Sequence, residues 1–155
     1  MPIRWMSDAD AREFLREQTE GRLATCDPAG QPYITPLNYL YHGGKIYFHS
    51  KLDGRKLDNI AANSRVCFEV SATAKLTVTN DRPCNCSTRY TSVLAFGVAR
   101  IVSDVAEKTA LLNLLVERYA AGKAFVPVED QHAASCAVVE IAVEQVTGKM
   151  NVDPE

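Results

Sequence analysis

The sequence predicts a mainly β fold of the α+β kind, an antiparallel barrel with helices at its edges. Three observations lead there. Six or seven short β-type runs follow one another along the 155 residues, mostly joined by turn-forming residues. Only three helical patterns interrupt them. The chain also lacks the regular strand–helix–strand alternation that a parallel sheet would need. One domain spanning residues 1–155 is expected, long enough to bury a core without metal or disulfide staples.

The first helix opens at Ser7-Asp8-Ala9-Asp10, with Ser7 as N-cap and acids in the first turn. Phe14 and Leu15 continue it, and Gly21 is expected to end it. Arg22–Cys26 reads as a strand, and Asp27-Pro28-Ala29-Gly30 as the turn into a second strand, Pro32–Tyr41. Tyr33, Leu37 and Tyr39 share one face of that strand while Ile34 and Leu40 lie on the other, so both faces are expected to be covered. His42-Gly43-Gly44 makes a hairpin turn into Ile46–His49, with Ile46 and Phe48 facing the core.

Leu57, Ile60 and Ala61 share one side of a short helix closed by Asn63. Val66, Phe68 and Val70 alternate with polar or small residues in a half-buried strand, and Lys75–Thr79 is another strand candidate. A polar loop, Asn80–Thr88, leads into the longest β-type run, Tyr90–Val102. Asp104 and Glu107 mark a helix start, and Leu111, Leu112, Leu115 and Tyr119 form its apolar stripe. A loop of about 13 residues with little pattern follows, suited to mobility or a partner contact. The last strand carries Val139, Ile141 and Val143 and ends at Thr147-Gly148-Lys149.

Composition narrows the function classes. A net charge of −2 with no strongly basic segment gives no reason to expect nucleic acid. No apolar run approaches a membrane span and no signal-peptide core opens the chain, so a cytoplasmic location is the default expectation. The five cysteines are odd in number, and Cys26, Cys67 and Cys136 lie in apolar runs that suit reduced thiols. Cys84-Asn85-Cys86 has no second pair or nearby histidine to complete a zinc site. Neither a dinucleotide-binding glycine fingerprint, nor a P-loop, nor a nucleophile elbow is present.

One place remains chemically suggestive. His49, Ser50, Lys51, Arg55 and Lys56 gather where a strand hands over to a helix. Backbone N–H groups at a helix start favour an anion, and fixed cations add to the attraction, so a phosphate fits there. Asn38, Tyr39 and Tyr47 lie on neighbouring strands, where they could flank a flat ring, and Arg89-Tyr90-Thr91-Ser92-Val93 offers hydroxyls and another cation. A planar heterocycle with a phosphate tail would use both groups. The alternative is a solvated helix start with no ligand.

The ordered series Gly21–Thr25, Pro32–Tyr39, Gly44–Ser50, Gly54–Asp58 and Val66–Val70 resembles the pyridoxamine 5′-phosphate oxidase-related flavoproteins. Tyr90–Val93 with Gly97, the Glu107-Lys108 helix and Thr147-Gly148-Lys149 are similar to their 5-nitroimidazole-resistance reductase branch. The chain departs from the pattern at Asn63-Ser64-Arg65, where the family usually has Asn-Pro, and in its cysteine-rich Cys84–Cys86 stretch.

The resemblance implies a six-stranded split β-barrel and a homodimer holding FMN in grooves between its subunits. Relatives of the fold also take FAD, heme or a deazaflavin. Carried onto this chain, Pro36, Leu37, Asn38 and Tyr39 would run along the isoalloxazine. His49, Ser50 and Lys56, with Arg55 second to them, would meet the phosphate side or ring edge, and His49, beside the flavin, is the candidate for a catalytic role. Tyr90, Ser92 and Val93 would complete the site from the second subunit. The implied activity is an oxidoreductase that takes a hydride from a reduced nicotinamide and reduces a small acceptor such as a nitroaromatic. The alternative is a flavin- or heme-binding module without turnover. No residue is assigned as general acid or base.

Overall fold

The structure, a computed structural model, describes residues 3–78 and 87–151. Eight strands and four helices occur among them: β1 (Arg4–Trp5), α1 (Asp8–Glu17), β2 (Glu20–Cys26), β3 (Pro32–Asn38), β4 (Leu40–His42), β5 (Lys45–Ser50), α2 (Arg55–Ala62), β6 (Arg65–Thr77), β7 (Ser87–Ile101), α3 (Val105–Ala120), α4 (Asp130–Ala133) and β8 (Ala137–Asn151). β1 and β4 are additions of two and three residues to the six longer strands.

All ladders are antiparallel, in the order β3-β2-β6-β7-β8-β5-β4, with β1 added to β8. The two ends of this order, β3 and β4, are consecutive in the chain and meet at Tyr39. The sheet therefore curls round on itself, and the barrel wall is split beside β3. Among the described residues no helix is long and apolar enough to cross a membrane.

Alternation along the strands builds the interior. Leu23, Ile46, Phe48, Phe68, Val70 and Ile141 are fully enclosed there. On the outer side of β5 and β8, Tyr47 and Val138 pack beneath Leu111, Leu112 and Leu115 of α3. Glu140, also buried, anchors the same corner: Arg100 donates to it at 2.9 and 3.1 Å, and Lys45 approaches at 3.1 Å. Arg100 reaches on to Glu107 in the first turn of α3.

The turns form where expected. The Asp27 carboxylate accepts from the N–H groups of Ala29 and Gln31, both at 2.9 Å, and Gly30 takes φ 85°. Gly43 and Gly44, at φ 58° and 77°, make the β4–β5 hairpin. Ser7 and Asp104 cap α1 and α3, accepting from Asp10 N–H and Glu107 N–H. Cys26, Cys67 and Cys136 are free, half-buried thiols.

Four local expectations are corrected. The α1 helix stops at Glu17, and Gly21 sits inside β2, where a Cβ would lie 2.3 Å from the Phe68 ring. Close packing, not a helix end, is what requires glycine there. The strand expected over Pro32–Tyr41 breaks at Tyr39, because its ring turns into the core edge-on to Phe68, with centroids 4.8 Å apart. Ala61 is exposed; Asn59 is buried in its stead, donating to Thr25 Oγ1 at 2.9 Å. The strand candidate at Lys75 is the far part of β6, beyond a register shift between Thr73 and Lys75. The Asn80–Cys86 part of the expected loop, with Cys84 and Cys86, lies outside the described residues.

Candidate functional site

The junction between β5 and α2 is built by strand alternation followed by a glycine. With Phe48 enclosed, His49 points outward into solvent, and Ser50 Oγ donates to the Lys51 carbonyl. Gly54 takes φ 129°, a conformation that L side chains rarely adopt, and caps α2 with no side-chain hydrogen bond. Its carbonyl accepts from Leu57 and Asp58 N–H at 2.8 and 3.2 Å. The N–H groups of Arg55 and Lys56 precede the first helical bonds and remain available to an anion.

The three cations of the junction are not equivalent. Arg55 is held against the β2–β3 hairpin, 3.4 Å from Asp27 and with its guanidinium 5.1 Å from the Tyr33 ring centroid. The Asp27 carboxyl is held below its ordinary range, first by the Gln31 N–H, with the Ala29 N–H and Arg55 adding to it. Lys51 is exposed and Lys56 half-buried, and neither forms an ion pair with a described residue.

On β3, Pro36 and Asn38 face outward and Leu37 packs against the core. Tyr39 is enclosed: its hydroxyl donates to the Leu15 carbonyl, and burial raises its pKa. Its ring therefore cannot flank a ligand, and its backbone is engaged as well, the N–H donating to the Thr19 carbonyl and the carbonyl accepting from Tyr119 Oη. Tyr47 is likewise buried, with its pKa raised first by burial. Thr35 Oγ1, on the face of β3 that carries Tyr33, is buried without a hydrogen-bond partner among the described residues.

Asn38 and His49, from different strands, line one groove of about 730 Å³. Its other wall is the C-terminal half of α3 and the segment leading to β8, including Leu115, Tyr119, Phe125 and His132. The sequence marked that segment only as a long loop. Asn113 holds it: its side-chain amide donates to the Val128 carbonyl at 3.1 Å, and its carbonyl accepts from Val128 N–H at 2.9 Å. The end of α3 is fastened too, since Tyr119 Oη donates toward the Thr19 and Tyr39 carbonyls at 2.8 and 2.7 Å.

The second predicted group lies elsewhere on the chain. Tyr90 is partly covered by Lys149, 5.9 Å from its ring centroid, and Val93 is fully buried. Ser92 lines a separate cavity of about 130 Å³ with Trp5 and Lys149. On β8, His49 is opposite Val138 and Ser92 is opposite Lys149. Those positions are eleven residues apart, roughly 36 Å along a straight strand. Within one chain the two groups do not meet.

The ladder order, the split beside β3 and the flanking helices define a split β-barrel. Residues 7–150 match the family model described as Pyridoxamine 5'-phosphate oxidase, and the chain belongs to that family. A crystal structure of a candidate 5-nitroimidazole antibiotic resistance protein from Bacteroides thetaiotaomicron VPI-5482 is similar, with a TM-score of 0.81 at 24% identity over 97% of this chain and 89% of that one. The FAD and heme binding protein of Mycobacterium smegmatis superimposes with a TM-score of 0.85 at 18% identity, over 100% of this chain and 76% of that one. An uncharacterized protein of Rhizobium meliloti (strain 1021) is 31% identical over 71 residues, 46% of each chain. The match thus spans about half the length of that relative.

Proposed function

We propose that this protein binds FMN in a groove shared by two copies of the chain and acts as an oxidoreductase. The observation that carries the reading is the β5–α2 junction: helix-start N–H groups that precede the first helical bonds, Gly54 without a side chain, and Lys51 and Lys56, five positions apart and in no ion pair with a described residue. Such a donor set fits a phosphate monoester.

When bound, the flavin would supply the redox chemistry, accepting a hydride from a reduced nicotinamide and passing electrons to a small acceptor such as a nitroaromatic. The chain's residues bind and orient. Lys56 and Ser50 would hold the phosphate side, with Arg55 secondary because Asp27 and Tyr33 already engage it. Pro36, Leu37 and Asn38 would line the ring side, with His49 beside it, while Tyr39, enclosed and hydrogen-bonded through its backbone, supports the strand from behind. Tyr90 and Ser92 of a second copy would close the site, with the fully buried Val93 only holding their strand in place, which is why a homodimer belongs to the proposal.

The absorbance spectrum of the purified protein is the test. Flavin bands bleached anaerobically by a reduced nicotinamide, with FMN identified by mass spectrometry of the released ligand, are expected. A protein without flavin, or a monomer that retains it in sedimentation, would overturn the shared-groove reading. A second reading, flavin or heme binding without turnover, draws on the two imidazoles of His49 and His132 in one largely apolar groove and on the heme named for the Mycobacterium smegmatis relative. A Soret band would select it.

A further inference from the structure

Among the described residues the groove beside Asn38 and His49 is lined by one charged side chain, the cation Lys123. Its broad surface is apolar, formed by Leu112, Leu115 and Phe125 among others, and among the described residues no carboxylate lines it. Lys123 and two imidazoles do.

The acids that flank Lys123 in the sequence form no ion pair with it. Asp130 is turned to Thr109, whose hydroxyl donates to it at 2.6 Å, and Glu129 accepts from Gln131 at 2.8 Å. Glu117 shares a shallow adjoining cavity with Lys123 but forms no ion pair with it. The volume, about 730 Å³, lies within the ordinary range for small-molecule sites. A ligand there would set its apolar body against α3 and needs a negative end to meet Lys123. Tyr119 and Phe125 on the walls favour a flat ring as that body.

We infer that the groove binds an aromatic carboxylate, with its ring against α3 and its carboxylate toward Lys123. This deepens the flavin reading by naming a substrate class, and rests on that reading only in calling the ligand a substrate.

Three probes of nearly one shape separate the possibilities by isothermal titration of the protein as purified: 1-naphthoate, neutral 1-naphthylmethanol and cationic 1-naphthylmethylamine. Naphthoate should bind best and the amine worst. K123M should weaken naphthoate about tenfold and leave the alcohol unchanged, while K123R should restore the carboxylate preference. Equal binding of all three, no binding, or naphthoate affinity indifferent to K123M would overturn the inference.

The flavin content of the same samples keeps the two readings apart. Naphthoate binding to a colourless protein would uphold the groove and remove the flavin. Flavin released mole for mole by naphthoate would make the groove the flavin's own seat, and would overturn the inference instead.

Discussion

Replacing Asn113 by alanine should loosen the outer wall of the groove while leaving the barrel intact. Its side chain makes two opposed hydrogen bonds to one residue, Val128, across fifteen positions of sequence. Between them the chain leaves α3 through Ala121 at φ 50° and Gly122 at φ 84°, then runs exposed to Val126. Apart from the Thr109–Asp130 bond and the Lys123 N–H donating to the Ala120 carbonyl at the helix end, the clasp is the main polar tie of this segment to α3 among the described residues.

Each such bond contributes about 0.5–1.5 kcal/mol net. Val128 is only half-buried, so water partly replaces the lost partners and the lower part of the range applies to each. The expected loss is about 1–1.5 kcal/mol, a fall of roughly 2–6 °C in Tm for a domain of this size. N113D keeps the acceptor for Val128 N–H but sets a carboxylate oxygen against the Val128 and Thr109 carbonyls that the amide donated to, and should lose at least as much.

Urea denaturation gives the global number, and hydrogen exchange at Val128 N–H gives the local one. The alanine variant should exchange there at least about fivefold faster, as a loss of 1 kcal/mol requires. An N113A protein with unchanged stability and unchanged exchange at Val128 would show that the segment is held by something else, and the groove wall would need another origin.

Three further outcomes are expected. K56A should lower flavin affinity about tenfold or more, the worth of one charge-assisted hydrogen bond, read as the flavin-to-protein ratio after dialysis; R55A should do less, because Arg55 is already engaged by Asp27. G21A should cost about 1–3 kcal/mol in denaturation, since its Cβ would meet the enclosed Phe68 ring at 2.3 Å and the Glu69 carbonyl at 2.8 Å; wild-type stability would place the backbone differently. The Glu140 carboxyl is held below its ordinary value of 4.5, first by the hydrogen bond from Arg100. The unfolded chain takes up that proton near 4.5, the folded one only at lower pH. The stabilisation is therefore fully present above about pH 4.5 and fades as pH falls through the folded value. E140Q should be less stable than wild type at pH 7, and the two should converge in acid; a difference constant with pH would refute this role.

The sequence by itself determined what depends on neighbours along the chain. Strand alternation, the Asp27–Gly30 and Gly43–Gly44 turns, and the caps at Ser7 and Asp104 are local interactions, each legible from a few residues. The order of short strands indicated an antiparallel barrel, and the clustering of Ser50, Arg55 and Lys56 marked the anion-favouring junction. Contacts distant in sequence were decided only in the folded chain. Gly21 looks like a helix end until Phe68, forty-seven residues later, is packed against it. Tyr39 looks like a ring-flanking aromatic until the barrel closes and encloses it. The segment after α3 shows no periodicity, because one amide clasp from Asn113 shapes it and no apolar stripe does, so its place as a groove wall beside His49 was illegible. The separation of His49 from Ser92 follows from the length of β8 and its register with two neighbours, and only the assembled sheet sets that register.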